Sequence, residues 1–304
     1  MMTAQTQQSL RGELRHDVAM SGHTSWRVGG VADQCFRPAD LDDLQLFLQR
    51  LDPEERLYWV GLGSNLLVRD GGLRGTVILP FNGLDTLALL SNNEVRVGAG
   101  VTCARVARFC ARADLVGAEF FAGIPGTMGG ALAMNAGAFG GETWEIVKRV
   151  ETVNHAGVLH DYLASDFQVG YRSVNLPDNE WFISTVLILQ PGDGAAAQQR
   201  SKALLEQRGK TQPTSQPSCG SVFRNPEGDY AARLIESCQL KGQRIGNAEV
   251  SEKHANFIVN LGAASAENIE QLILHVQQTV EQQTGVCLQH EVRIIGESLP
   301  EVFV

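Results

Sequence analysis

With 304 residues, the chain is long enough for two or three domains of ordinary size. Hydrophobic residues make up 43% and charged residues 19%, which excludes a disordered chain and predicts a packed core. The net charge of −9 argues against a dedicated nucleic-acid or anionic-membrane surface, yet leaves a few Arg and Lys free to converge on an anionic small molecule.

Along the chain, the polar N-terminal segment lacks the apolar core of an export signal, and its first dozen residues read as loosely ordered. Asp40 is placed to cap a helix whose apolar face is Leu41, Leu44, Phe47, Leu48 and Leu51. Short apolar runs at Leu57–Val60, Leu66–Val68 and Thr76–Leu79 read as strands and end a first unit near Pro80. A second unit begins near Asn82, with a strand at Glu94–Val97, a helix at Val101–Ala113, and strands at Arg149–Asn154 and Phe182–Leu189. PGDGAAAQQ marks a change of composition, after which a polar helix runs from Gln198 to Arg208. The third unit holds a helix at Asp229–Gln239, a strand at Phe257–Asn260 and a final strand at Glu291–Ile295. Its clearest element is a helix at Ser265–Thr284, with Ile269, Leu272, Ile273, Val276 and Val280 in step, Ser265 as cap and Gly285 as stop. Short strands and helices without regular βαβ alternation give an α+β class. The units divide as 1–80, 81–210 and 211–304, with the last strand free to return to the first unit.

The six cysteines, Cys35, Cys103, Cys110, Cys219, Cys238 and Cys287, form no C-x-x-C pair, so no metal centre is expected. Scattered thiols without an export signal read as reduced, which places the chain in the cytoplasm. No stretch reaches the roughly 18 apolar residues of a membrane span.

Two glycine-rich stretches carry the first chemical signal. In Gly61–Val68 (GLGSNLLV), Gly61, Gly63, Ser64 and Asn65 lie between strand-like runs, either as an ordinary turn or as an anion-binding nest. Gly123–Glu142 holds seven glycines in twenty residues, together with Ile124, Met128, Leu132 and Met134. That is too apolar for a flexible linker and suggests backbone lying against an extended cofactor. Neither stretch is a G-x-G-x-x-G fingerprint, since Leu66 stands at the last glycine position. Ser221 in CGSVFRNP is no hydrolase elbow, because Phe223 occupies the required glycine; it is a structural hydroxyl or a proton donor. Arg172 in GYR can clamp a carboxylate, and Glu291 in HEVRIIGE can enter a cleft, although both residue types are commonly on surfaces.

HTSWRVGGVAD, GLGSNLLV, GIPGTMGGALAMNAGAFG, GYR, PSCGSVFRNP, VSEKHANFIVN and HEVRIIGE occur in the order found in UDP-N-acetylenolpyruvoylglucosamine reductases, the MurB family, and the resemblance spans residues 17–297. It implies a PCMH-type, vanillyl-alcohol-oxidase-like scaffold of two FAD-binding subdomains (1–80 and 81–210) and an α+β substrate domain (211–304). The short run from Arg172 to Phe182 resembles the compact type, without the tyrosine-bearing insertion. The implied activity is cytoplasmic reduction of UDP-N-acetylglucosamine enolpyruvate to UDP-N-acetylmuramate for peptidoglycan, by a monomer using noncovalent FAD and NADPH. Ser221 then matches the proton donor, with Arg172 and Glu291 as enolate stabilisers. The cofactor residues implied are Gly61, Gly63, Ser64, Asn65, Gly123, Ile124, Pro125, Gly126, Gly129, Gly130, Asn135 and Gly137. Tyr171, Arg224, Asn225 and His254 are implied for substrate. Phe139 stands where the family often has tyrosine, and Trp26, in place of phenylalanine, reads as a packing change. Two other readings stay open: an oxidase of the same scaffold, with FAD attached through a residue such as His23 or Cys103, and a non-catalytic nucleotide-binding module.

Overall fold

The computed structural model describes residues 9–300. The expected loose start therefore falls largely outside the described residues. β1 (Glu13–Ala19) pairs antiparallel with β2 (Val31–Arg37), and neither strand is among the predicted elements. β1 is solvent-facing along most of its length, so it carries no apolar alternation to read. β3 (Leu57–Trp59) and β5 (Leu73–Ile78) complete a four-stranded sheet in the order β1-β2-β5-β3. α1 (Leu41–Leu48) forms as expected: the Asp40 carboxylate accepts from Asp43 N at 3.0 Å, and Leu44, Phe47 and Leu48 bury against Phe36 and Ile78.

The second sheet has five antiparallel strands in the order Leu159–Leu163, Val147–Asn154, Glu180–Ile188, β7 (Glu94–Gly98) and β6 (Leu87–Leu89). α2 (Cys103–Arg112) packs Val106, Ala107 and Cys110 into its core. α3 (Met128–Met134) lies inside the glycine-rich stretch, where glycine content masks helical propensity. Its apolar side, Met128, Ala131 and Leu132, is buried, and Asn135 ends it in the left-handed conformation. α4 (Gly194–Thr211) begins four residues before the predicted start, because Asp193 accepts from Ala196 N at 3.0 Å. The apparent break in composition is its first turn.

In the third unit, α5 (Ala231–Ser237) is shorter than predicted, and strands Ala248–Val250 and Ile258–Asn260 pair antiparallel. α6 (Ala266–Thr284) matches its predicted span: Ser265 Oγ accepts from Asn268 N at 3.0 Å, and Gly285 stops it at φ 74°. All five predicted apolar positions of α6 are buried, each burial stabilising by about 1.5–3 kcal/mol. The last strand, Arg293–Ile295, returns to pair in parallel with β4 (Leu66–Val68). Trp26 does more than fill space. Fully buried, it donates from Nε1 to Ile258 O at 2.7 Å, while Asn260 Nδ2 bonds its carbonyl at 2.9 Å. These bonds tie the turn after β1 to the third unit.

Candidate active site

A cavity of about 470 Å³ opens where the β3–β4 turn, the glycine-rich stretch, the end of α4, residues 219–221 and residues 291–293 meet. That size suits a nucleotide-sized ligand. Gly61, Gly63, Ser64, Asn65, Gly123, Ile124, Pro125, Gly126, Gly130 and Gly137 all line it, as do Ser221, Arg172 and Glu291.

The glycines differ in why they are glycine. A Cβ on Gly61 would meet Thr127 Oγ1 at 2.5 Å, and one on Gly129 would meet the Ala99 Cβ at 3.0 Å, so neighbouring protein excludes larger residues there. At Gly126 the nearest atom would be Ser64 Oγ at 3.4 Å, and at Gly130 it would be Thr127 Oγ1 at 3.9 Å. Protein packing does not demand glycine at those two cavity positions. The space left beside the backbone there is open to a ligand, a fit to an extended dinucleotide cofactor.

Arg172 is held from three sides. Its Nε donates to Glu291 Oε1 at 3.1 Å, Nη1 to Asn135 O at 3.2 Å and Nη2 to Gly137 O at 3.0 Å. Asn135 is itself buried and fixed, with Nδ2 donating to Glu142 Oε2 at 2.8 Å and Oδ1 accepting from Trp144 N at 3.2 Å. Asn135 and Gly129 therefore stand behind the wall and do not form its surface. Burial raises the pKa of Glu291 above its ordinary value, against the opposing pull of Arg172 and then Arg224. Glu291 precedes the last strand, which starts at Arg293; its backbone N–H donates to Val222 O at 2.8 Å, tying it to the Ser221 loop.

Buried Asn256 clamps that loop, accepting from Phe223 N at 2.9 Å and donating to Phe223 O at 2.7 Å. Ser221 Oγ has no protein hydrogen-bond partner among the described residues and faces the cavity. The four residues assigned to substrate do not line the cavity. Tyr171 is exposed, with Arg172 5.1 Å from its ring centre. Arg224 lies close enough to Glu291 to act on its charge. Asn225 Oδ1 accepts from Ala231 N at 3.1 Å, a local role at the start of α5. The His254 ring packs 4.8 Å from Phe257, which does line the cavity.

Several lining residues escape the sequence reading. Arg293 could have been found from its i+2 spacing to Glu291, which puts both on one side of an extended segment. Arg208 and Gln212 carry no such signal, since the end of α4 is polar throughout. The charged lining is Arg172, Arg208, Arg293 and Glu291, a net positive site in an acidic chain. His23 and Cys103 do not line it, and burial pushes the Cys103 thiol up to about 12. That arrangement gives no support to flavin attachment through either residue.

The profile of the UDP-N-acetylenolpyruvoylglucosamine reductase C-terminal domain matches residues 212–295, and that of an FAD binding domain matches residues 32–162. A UDP-N-acetylenolpyruvoylglucosamine reductase from Alkalilimnicola ehrlichii is 60% identical, over 94% of this chain and 96% of that protein. The chain belongs to the MurB family. A second member, from Methylococcus capsulatus, is 57% identical over 97% of each chain. The crystal structure of MurB from Thermus caldophilus superposes with a TM-score of 0.81 at 34% identity, covering 93% of this chain and 98% of that one. The chain therefore has the α+β, PCMH-type FAD-binding scaffold of the MurB family. No helix among the described residues is long and apolar enough to cross a membrane.

Proposed function

We propose that this MurB-family chain reduces UDP-N-acetylglucosamine enolpyruvate to UDP-N-acetylmuramate at the cavity, with FAD as cofactor and NADPH as reductant. It does so in the cytoplasm, as a monomer, in peptidoglycan precursor synthesis. One observation carries the residue assignment: Ser221, Arg172 and Glu291 come from three distant segments and line one cavity, with Arg172 and Glu291 in contact at 3.1 Å.

In this reading residues 1–80 and 81–210 are the FAD-binding subdomains and residues 211–304 the substrate domain. Gly61, Gly63, Ser64, Asn65, Gly123, Ile124, Pro125, Gly126, Gly130 and Gly137 hold FAD along the cavity wall, with Gly129 and Asn135 supporting them. FAD held there would supply the redox chemistry, linking NADPH as hydride source to reduction of the enol double bond. The protein manages the charge and the proton that this leaves on the substrate. Negative charge builds at the carbon bearing the carboxylate and spreads into that carboxylate. Arg172, already oriented by two backbone carbonyls, meets the charge without having to reorganise. Glu291, whose pKa burial raises against the pull of Arg172, is the residue we assign to donate a hydrogen bond to the same carboxylate in its protonated form. Ser221 Oγ gives its proton to the carbon, and the strong basicity of that carbon makes so weak an acid competent. Tyr171, Arg224, Asn225 and His254 stay assigned to substrate on the family resemblance alone, since none of them lines the cavity.

Ser221→Ala tests this assignment because it removes the hydroxyl with little change in volume. Bleaching of the flavin by NADPH should stay near the parent rate. Reoxidation by the enolpyruvyl substrate should slow by about a hundred- to ten-thousand-fold. Parent-like reoxidation in anaerobic stopped-flow would remove Ser221 from the role, and equal loss of both phases would make it a positioning residue.

A further inference from the structure

Among the arginines whose pKa is perturbed, Arg11, Arg69, Arg74 and Arg233 are each raised by a carboxylate partner. Arg208 goes the other way: burial lowers it and nothing opposes that. In the last turn of α4, its Nε donates to Gln212 Oε1 at 3.0 Å. Among the described residues no carboxylate pairs with it and no acceptor takes its remaining guanidinium N–H groups. Both Arg208 and Gln212 line the cavity.

A half-buried guanidinium without an anion is destabilising unless a ligand supplies one. Part of the field is supplied by the helix, whose C-terminal end favours a cation. That term does not provide hydrogen-bond acceptors for four N–H groups arranged as a planar fork. The backbone beneath the side chain is also fixed, since Lys253 Nζ bonds the carbonyl of Gly209 and joins this turn of α4 to the third unit. Arg208 is thus a pre-oriented cation at the seam between α4 and the third unit. Arg172, by contrast, already has a protein acceptor on each of its three guanidinium nitrogens.

We infer that Arg208 binds a diphosphate in this cavity, its guanidinium fork bridging phosphate oxygens while Gln212 fixes its orientation. The inference rests on the functional reading above, which brings two diphosphates to the site: that of FAD and that of the uridine nucleotide. The chemistry is the same for both, because each offers several anionic oxygens within reach of one planar fork.

Arg208→Gln and Arg208→Lys separate the two sources with binding measurements that need no turnover. Apoprotein is titrated with FAD, and FAD-loaded protein is titrated with UDP and with uridine. In Arg208→Gln, one Kd should rise about ten- to hundred-fold, the usual scale for a lost charged hydrogen-bonding group. Arg208→Lys should recover only part of it, since lysine keeps the charge and loses the fork. Weakened FAD binding assigns the residue to the cofactor diphosphate. Weakened UDP binding with unchanged uridine binding assigns it to the substrate diphosphate. The apoprotein should unfold no more easily than the parent, because the substitution removes an uncompensated charge. Unchanged Kd for both FAD and UDP in a folded Arg208→Gln protein overturns the inference. Failure of the parent itself to bind FAD or UDP would instead overturn the functional reading beneath it.

Discussion

Asn256→Ala should weaken the fold and slow one half of the reaction while sparing the other. The Asn256 amide satisfies both backbone groups of Phe223, at 2.9 and 2.7 Å, and the residue is only 3% exposed. Each orphaned buried group costs about 1–3 kcal/mol, so the pair costs about 2–6 kcal/mol. Water entering the vacated space would bring this to the lower half, about 2–4 kcal/mol. The loop should not detach, because Val222 N still bonds Asn256 O at 2.9 Å and Glu291 N still bonds Val222 O at 2.8 Å. Ser221, two residues from the lost clamp, should shift; a displacement of about 1 Å can cost on the order of a hundred-fold in rate. Urea unfolding gives the stability change, and anaerobic stopped-flow gives the two phases. A parent-like urea midpoint with parent-like reoxidation would refute the claim that Asn256 positions the Ser221 loop. Equal slowing of reduction by NADPH would show that the damage is general.

Gly126→Val should weaken FAD binding in a folded protein, because its side chain enters the cavity where little protein stands in the way. Full flavin retention would place the cofactor elsewhere. Arg172→Lys should not rescue the second half-reaction, since the planar fork that meets Glu291, Asn135 and Gly137 is lost; a drop of about a hundred- to thousand-fold in reoxidation rate is expected. A lysine variant with unimpaired reoxidation contradicts the role. Glu291 also makes apoprotein stability depend on pH in a defined direction. Its folded pKa lies above the ordinary 4.5, so its contribution is most favourable below that value and is lost as pH rises through the folded pKa. The stability of the parent relative to Glu291→Gln should therefore fall as pH rises from the ordinary carboxyl value through the folded pKa of Glu291. A difference independent of pH would mean that Glu291 is not raised.

What could be read from sequence follows from which signals are local. α6 combines a cap, a stop and an apolar stripe, all within its own span, and its bounds follow from them. β1 has none of these: its stability comes from pairing with β2, and its side chains face water. α3 is hidden by its two glycines, Gly129 and Gly130, and is held by burial of Met128, Ala131 and Leu132 despite poor propensity. At the site, Ser221, Arg172 and Glu291 carry roles only through family resemblance, since their meeting depends on contacts more than a hundred residues apart for Arg172 and Glu291. Arg208 is invisible for the same reason. Nothing in a polar helix end marks one arginine as lacking an acid partner until the surrounding chain is in place.

The most direct measurement follows the flavin absorbance of the purified protein under anaerobic conditions through two additions. NADPH should bleach it, and UDP-N-acetylglucosamine enolpyruvate added next should restore the oxidised spectrum with formation of UDP-N-acetylmuramate. A protein that carries no flavin, or whose bleached flavin stays reduced when the enolpyruvyl substrate is added, would contradict the account.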